Sequence, residues 1–287
     1  MTQATAKRIQ HENSTINPDE VERFSRIADE WWDEKGKFKP LHKINPLRLK
    51  FIRDHACEHF GHDADSIKSL KDMTILDIGC GGGLLCEPLT RMGANVTGID
   101  ASEKNIKVAS LHAEKMGLEI NYRATSAEAL VAANTGDGAS KGSKATRRGS
   151  EGEIRTGEAF PPTMDSYDIV LALEIIEHVD NVDLFMQSVC ALVKPGGLLF
   201  MSTLNRTIKS YALAIIGAEY VLRWLPVGTH TWNKFVKPSE LANHLRINHL
   251  DLYAQTGMVF SPLKNTWSLN ANDLDVNYLL VAKKTNP

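Results

Sequence analysis

The stretch from Thr74 to Gly83, Thr-Ile-Leu-Asp-Ile-Gly-Cys-Gly-Gly-Gly, limits what this chain can fold into more than any other. Ile75, Leu76 and Ile78 make the short apolar run of a buried strand. Gly79, Gly81, Gly82 and Gly83 follow at once, and glycine lets the backbone take positive φ and come close to a ligand. Leu84, Leu85, Leu89 and Met92 then recur at roughly helical spacing, so the turn delivers backbone N–H groups at a helix start. Strand, glycine turn and helix together are the opening unit of a nucleotide-binding α/β domain.

Spacing decides which nucleotide. A dinucleotide fingerprint needs G-x-G-x-x-G. Counted from Gly79 the last position falls on Leu84, and counted from Gly81 it falls on Cys86, so the pattern fails twice. What stands here is Asp77-x-Gly79-x-Gly81-x-Gly83. A carboxylate ahead of the glycines is unfavourable beside an anionic pyrophosphate and favourable beside a cationic amino-acid head. Asp100 closes the next expected strand, Asn95 to Asp100, about 20 residues on, where a ribose-binding carboxylate belongs. Loop, preceding acid and second acid resemble the S-adenosylmethionine site of class I methyltransferases. A structural turn in some other α/β protein is the alternative.

The charge balance narrows the partners. The formal net charge is -2, and the one long basic run is Lys141 to Arg148, so the strongly basic face of a nucleic-acid binder is not expected. Cys57, Cys80, Cys86 and Cys190 form no C-x-x-C pair and read as reduced thiols. No apolar run reaches the length of a membrane-spanning helix. The N-terminus lacks a secretory h-region, and Glu12, Asp19 and Glu20 argue against a mitochondrial transit peptide.

Taken in order, residues 1–16 read as a disordered tail and 17–283 as one domain. Asn17-Pro18 supplies a cap and a first-turn proline, and Val21, Phe24, Ala28 and Trp31 share one helical face. Residues 17–70 form an N-terminal helical extension. Within it, two prolines and a glycine predict no regular element through Lys39 to Leu49, before a helix over Phe51 to Phe60. This aromatic and basic segment is either a lid over the site or only a docking arm. Ser102 caps a helix over Glu103 to Met116, and Ile120 to Ala124 is a third strand. Thr125 to Glu128 falls where an adenine would lie. Residues 134–158 are too polar to offset their ordering entropy and are expected to be a disordered insertion. Tyr167 to Leu173 is a fourth strand. Asn181 caps a helix through Val193, Lys194 to Gly197 is a turn, and Leu198 to Thr203 is a fifth strand. Pro238 to Ile247 is a helix, and Leu250 to Gln255 and Asn277 to Lys283 are the last two strands. This alternation predicts a seven-stranded, mostly parallel, doubly wound sheet.

Ligands sit at strand carboxyl ends, so the acceptor belongs over strands four and five. The loop after strand four reads Leu173-Glu174-Ile175-Ile176. It lacks both the Asn/Asp-Pro-Pro-Tyr/Phe run that amino-methylating DNA enzymes share there and the Pro-Cys of cytosine-C5 enzymes. Glu174, Glu177 and His178 stand at i, i+3, i+4 and share a face if the turn is helical. Two carboxylates and an imidazole could hold a divalent cation, or His178, with Glu174, could be the catalytic pair. A surface turn with a pH-sensitive histidine is the third reading. Residues 208–237 form a second insertion. Its Ser210-to-Val227 run, with Tyr211, Leu213, Ile215, Trp224 and the Glu219/Arg223 pair, suits a membrane interface, a lid or a core or dimer helix.

Several segments resemble one family closely. They are Trp31-Trp32-Asp33, Phe38 through Leu49, Leu76 through Gly83, Glu174-Ile-Ile-Glu177-His178-Val179, Ser202 through Arg206, Gly217 through Tyr220, Gly228-Thr229-His230 and Asp275 through Tyr278. They are similar to the ubiquinone-biosynthesis O-methyltransferase family over about residues 17–283, the insertion apart. The resemblance implies S-adenosylmethionine-dependent methylation of polyprenylated phenol and quinol intermediates at two steps of ubiquinone synthesis. It places Arg48 at the cofactor's carboxylate, Gly79 in the cofactor loop, Asp100 on the ribose hydroxyls and Leu173 beside the cofactor. It also implies a magnesium ion at Glu174, Glu177 and His178, as in eukaryotic members. Expected partners are the polyprenyl substrate, an anionic membrane surface and a ubiquinone-biosynthesis complex, but no nucleic acid. The expected setting is the bacterial cytoplasm, peripheral to the inner membrane. A methyltransferase of soluble small molecules and a non-catalytic cofactor-binding scaffold are the rivals.

Overall fold

The computed structural model describes residues 14–135, 166–213, 231–261 and 264–285. Most of the expected tail, nearly all of the 134–158 insertion, and Ile215, Trp224 and the Glu219/Arg223 pair lie outside the described residues.

Eight strands form one sheet: β1 (Thr74–Ile78), β2 (Asn95–Asp100), β3 (Asn121–Ala124), β4 (Tyr167–Leu173), β5 (Val193–Leu204), β6 (Leu250–Ser261), β7 (Thr266–Asn270) and β8 (Asn277–Lys284). Their spatial order is β3-β2-β1-β4-β5-β8-β6-β7. The first five pair in parallel, and β8, β6 and β7 complete the sheet by antiparallel pairing. The chain winds outward from β1 through β2 to β3, then crosses to β4 and β5. The switch point therefore falls between β1 and β4, where a crevice opens at the strand carboxyl ends.

Among the described residues the helices longer than one turn are α1 (Pro18–Arg26), α2 (Lys39–Phe60), α3 (Cys86–Arg91), α4 (Glu103–Lys115), α5 (Ala127–Thr135), α6 (Val182–Ala191) and α7 (Pro238–Ile247). They cover both faces of the sheet. Leu76, Val170, Ala172, Leu199, Met201, Leu280 and Ala282 pack with Phe185 and Met186 of α6 and Leu241 and Leu245 of α7. The alternate residues Ile75, Ile169, Leu171, Leu198, Phe200, Leu279 and Val281 pack with Phe51 and Ile52 of α2 and Leu89 of α3. Burial on both faces is why these strands read as near-continuous apolar runs.

Caps fall where expected: the side chains of Asn17, Ser102 and Asn181 accept from the N–H groups of Glu20, Asn105 and Leu184. Four expectations need correction. The sheet has eight strands rather than seven, because β6 runs on to Ser261 and turns back as β7. α2 begins at Lys39 and passes through Pro46 instead of starting at Phe51. An interior proline costs ~3 kcal/mol. Burial of Ile44, Arg48, Phe51 and Ile52 along one side of α2 offsets it, while Pro40 sits in the first turn where it costs little. The N-terminal face is not one helix, since α1 stops at Arg26 and a 3-10 turn follows at Ala28–Glu30. Lys194 to Gly197 is not a free turn. It lies inside β5 as an irregularity of the β4–β5 register, with Gly196 at φ 76°.

Candidate active site

Among the described residues a cavity of about 1010 Å³ lies along the carboxyl edge of the sheet. Asp77, Gly79, Asp100 and Leu173 line it from the sheet, and Arg48 of α2 lines it from above. The glycine loop does two jobs. Gly79 has φ 72°, and a Cβ there would meet Ile175 at 2.8 Å. Gly81 has φ 54° and presses against the indole of Trp31, where a Cβ would stand 2.3 Å from Cζ2. The glycines thus admit the loop after β4 on one side and the N-terminal segment on the other. Gly81 itself is not part of the cavity wall. Its N–H instead donates to Asp100 Oδ2 at 3.0 Å.

Asp100 is held rigidly. Its Oδ1 accepts from the Ser102 N–H at 2.8 Å and from Asn105 Nδ2 at 3.2 Å. Asn105 Oδ1 in turn accepts from Trp31 Nε1 at 3.0 Å. Burial raises the pKa of Asp100, and these donors oppose the rise. Asp77, fully buried, is pushed to about 7 by desolvation, against the Cys86 thiol that donates to it at 3.2 Å and the nearby Arg48 charge. Arg48 is 3 % exposed, and its Nε has no hydrogen-bond partner among the described residues. A buried guanidinium in the cavity wall, already paired with Glu174 through Nη2, favours an anionic group such as a carboxylate beside it. A cation-favouring acid, an anion-favouring arginine and a rigid diol-accepting carboxylate fit S-adenosylmethionine at this end.

The N-terminal extension packs on the glycine loop and lines the cavity. Trp31 stacks on Phe38 with centroids 3.7 Å apart, and Trp32 donates to the Gly82 carbonyl at 3.0 Å while stacking on His112. Asn45 donates to the Leu84 carbonyl at 2.9 Å. Phe24, Phe38, Leu41 and Ile44 face the cavity.

Beyond β4 the expected trio does not converge. Glu174 sits at φ 53°, outside the 3-10 turn Ile176–His178, so the i, i+3, i+4 helical face never forms. Glu174 Oε1 accepts from Arg48 Nη2 at 2.8 Å and Ser202 Oγ at 2.7 Å. Glu177 Oε2 accepts from Thr203 Oγ1 at 2.9 Å, and its buried Oε1 has no partner among the described residues. Burial, then the Glu174 charge, lifts Glu177 to about 7. His178 Nδ1 lies 3.0 Å from Glu20 Oε2 on α1. Among the described residues no cluster of three His, Cys, Asp or Glu side chains is arranged to hold a metal. In this arrangement the trio that the resemblance assigns to magnesium is not gathered as a ligand set. The three side chains turn to different partners, and one of those partners is a cationic guanidinium that repels a metal ion. All three residues nevertheless line the cavity, next to its cofactor end.

Glu128, expected near an adenine, instead accepts from the Thr15 N–H at 2.8 Å and the Thr15 hydroxyl at 2.9 Å, while Thr125, Ser126 and Ala127 face the cavity. Sequence reasoning missed Glu20, Asn105 and the Ser202/Thr203 pair as partners of site residues. Ser202 lies beside Leu173 in the parallel register, so β4–β5 alignment was the signal for it. No local signal tied Glu20 to His178.

Comparison with known proteins agrees with this geometry. A family model described as a methyltransferase domain matches residues 51–255. Solved structures under one-fifth identical share the fold. They include a magnesium protoporphyrin IX methyltransferase from Synechocystis PCC 6803 with bound SAH, at 18% identity and TM-score 0.53, covering 94% of this chain and 95% of that one. Another is a 1,6-didemethyltoxoflavin-N1-methyltransferase from Burkholderia thailandensis, at 15% identity and TM-score 0.51, covering 100% of this chain and 92% of that one. Two proteins named ubiquinone biosynthesis O-methyltransferase are far more similar. The one from Sinorhizobium medicae is 48% identical, covering 94% of this chain and 97% of its own length, and the one from Rhodopseudomonas palustris is 48% identical, covering 94% of each. Identity at that level across nearly the whole of both chains, over a cavity built to this plan, places the chain in the ubiquinone biosynthesis O-methyltransferase family.

Proposed function

We propose that this chain methylates a phenolic oxygen of polyprenylated dihydroxybenzene intermediates, 3-demethylubiquinol and 2-polyprenyl-6-hydroxyphenol, at two steps of ubiquinone synthesis. The observation that carries the reading is one continuous cavity. It runs from Asp77, Gly79 and Asp100 past Leu173 to Glu174, Glu177 and His178.

S-adenosylmethionine, when bound, supplies an electrophilic methyl group. Everything else falls to the chain. Asp77 and Arg48 grip the two ends of the amino-acid head, and Asp100 grips the ribose. Holding donor and acceptor in line supplies much of the rate. The stacked Trp31 and Phe38 and the α1–α2 lid exclude water from the contact. The acceptor must also lose a proton. A phenol of pKa ~10 is about three units from neutrality, so forming its phenolate costs roughly 4 kcal/mol. His178 is the base we assign, oriented through Nδ1 by Glu20, whose own pKa burial raises but the His178 hydrogen bond and nearby cations bring below the usual value. Glu174 holds Arg48 in place, and no step is routed through a metal.

No helix among the described residues is long and apolar enough to cross a membrane. Contact with the surface of an anionic membrane is the way we propose the lipid-tailed acceptor is met. Ile208, Tyr211 and Leu213 are 85%, 45% and 54% exposed on the segment whose Lys209 and Leu213 line the cavity. Transfer of labelled methyl from S-adenosylmethionine to a short-tailed dihydroxybenzene tests the reaction. Product methylated on oxygen is expected, and its absence with bound cofactor would leave a non-catalytic binder. Flotation with anionic liposomes tests the surface, with capture expected to fall in Ile208→Asp.

A further inference from the structure

The cavity is longer than the cofactor and a benzene ring require. Asp77 and Asp100 mark its start over β1 and β2, yet Met258, Phe260 and Trp267 of the β6–β7 hairpin also line it. From β1 the sheet runs through β4, β5 and β8 to β6. Four strand spacings of ~4.8 Å put the hairpin about 19 Å from the glycine loop. Because β8 runs antiparallel to both β5 and β6, the carboxyl end of β6 returns to the same edge of the sheet as the active site.

That far wall is apolar and built for contact. Phe260 and Trp267 are a directly opposed cross-strand pair with ring centroids 5.2 Å apart. Burial alternates along β7, so Trp267 and Leu269 turn inward while Thr266, Ser268 and Asn270 face out. Both inward residues pack against the sheet face covered by α2, alongside Leu41. Lys43 of α2 donates to Asn265 at 3.3 Å and joins the lid to the hairpin. The cavity continues to Leu213 on the exposed apolar rim.

We infer that the β6–β7 hairpin is the binding site for the proximal isoprene units of the acceptor, with Trp267 as the residue that senses the tail. The inference rests on the O-methylation reading above and deepens it. The occupant follows from continuity. Among the described residues, the cavity that holds His178 extends past Met258 and Trp267 and reaches Leu213, which is exposed, so a tail attached to a ring at His178 can follow it. The hairpin therefore selects tailed over tail-less rings without touching the reacting atoms.

The test measures kcat/KM for two acceptors, a diprenyl dihydroxybenzene and a tail-less catechol, with wild type, Trp267→Ala and Trp267→Phe. S-adenosylmethionine affinity, measured by calorimetry, shows that each variant is folded. Trp267→Ala is expected to lower kcat/KM for the tailed acceptor about tenfold, through KM, and to leave the tail-less one within about twofold. Trp267→Phe is expected to recover most of the loss. Equal losses on both acceptors, or no loss on the tailed one, overturn the inference. No transfer by the wild type to either acceptor overturns the O-methylation reading itself, so the two failures are distinct.

Discussion

Asp77 is the residue whose chemistry is most sharply defined. It is buried at the carboxyl end of β1, and desolvation carries its pKa from 3.8 to about 7. The sign of the consequence is fixed. Between pH 4 and 7 the unfolded chain has already lost this proton while the folded protein keeps it, so stability falls as pH rises through that window. About three units correspond to roughly 4 kcal/mol as an upper bound. Asp77→Asn, which stays neutral, should therefore raise the melting temperature of the protein alone at pH 8 and flatten its pH dependence. A cationic ligand head reverses the balance by favouring the carboxylate. S-adenosylmethionine affinity should rise about tenfold from pH 6 to pH 8, since about a tenth of Asp77 is ionised at the lower value and about nine-tenths at the higher. Titration calorimetry at both pH values checks this, and an affinity unchanged with pH in the wild type would remove Asp77 from contact with the ligand's charge.

At the scale of elements, the glycine loop and the N-terminal extension are one assembly. Trp31 fills the space over Gly81, and its indole N–H continues through Asn105 to Asp100. A double-mutant cycle exposes the coupling. Gly81→Ala meets the indole and also strains a positive φ. In a Trp31→Ala background the indole clash is gone and only the backbone cost of ~1–2 kcal/mol remains. Gly81→Ala should thus destabilise the wild type more than it destabilises Trp31→Ala, as read by thermal unfolding. Strictly additive changes would mean that the two elements are independent. The elements that were legible beforehand are those whose signal is local. β1, β2 and β4 announce themselves by apolar runs, and α1, α4 and α6 by their caps. The misreadings share a cause, since tertiary packing outweighed a local rule. Pro46 is tolerated in α2 because the helix buries one side. β7 exists because its inward residues, Trp267 and Leu269, meet α2 and the sheet. The Glu174 turn departs from helical geometry because its carboxylate is drawn to Arg48, 126 positions away in sequence. The acids of the cofactor end were readable from motif spacing. The partners that orient Glu174, Glu177 and His178 come from distant segments and were not.

For the whole molecule, the cavity is where two bodies of structure meet. Its floor is the carboxyl edge of the sheet, and its roof is α1 and α2 packed through Trp31, Phe38 and Leu84. A ligand seated there touches both, so binding is linked to the stability of the entire fold. At a concentration 100-fold above its dissociation constant, S-adenosylmethionine should stabilise the protein by about 2.7 kcal/mol. For a chain of this size that is an increase in melting temperature of roughly 5–10 °C. The geometry also says which ligands will fail. The loop carries Asp77 ahead of its glycines and no third glycine in dinucleotide register, so NAD should give no increase at the same concentration. Asp100→Ala removes the carboxylate held by Gly81, Ser102 and Asn105, and should lose most of the gain from S-adenosylmethionine. Trp31→Ala should lose part of it, because the roof no longer closes through Asn105 onto Asp100. A melting temperature that rises with the nicotinamide dinucleotide and not with the sulfonium compound would refute the assignment of the cavity. A gain from S-adenosylmethionine of equal size in Asp100→Ala would instead leave the cavity assigned and move the ribose elsewhere within it.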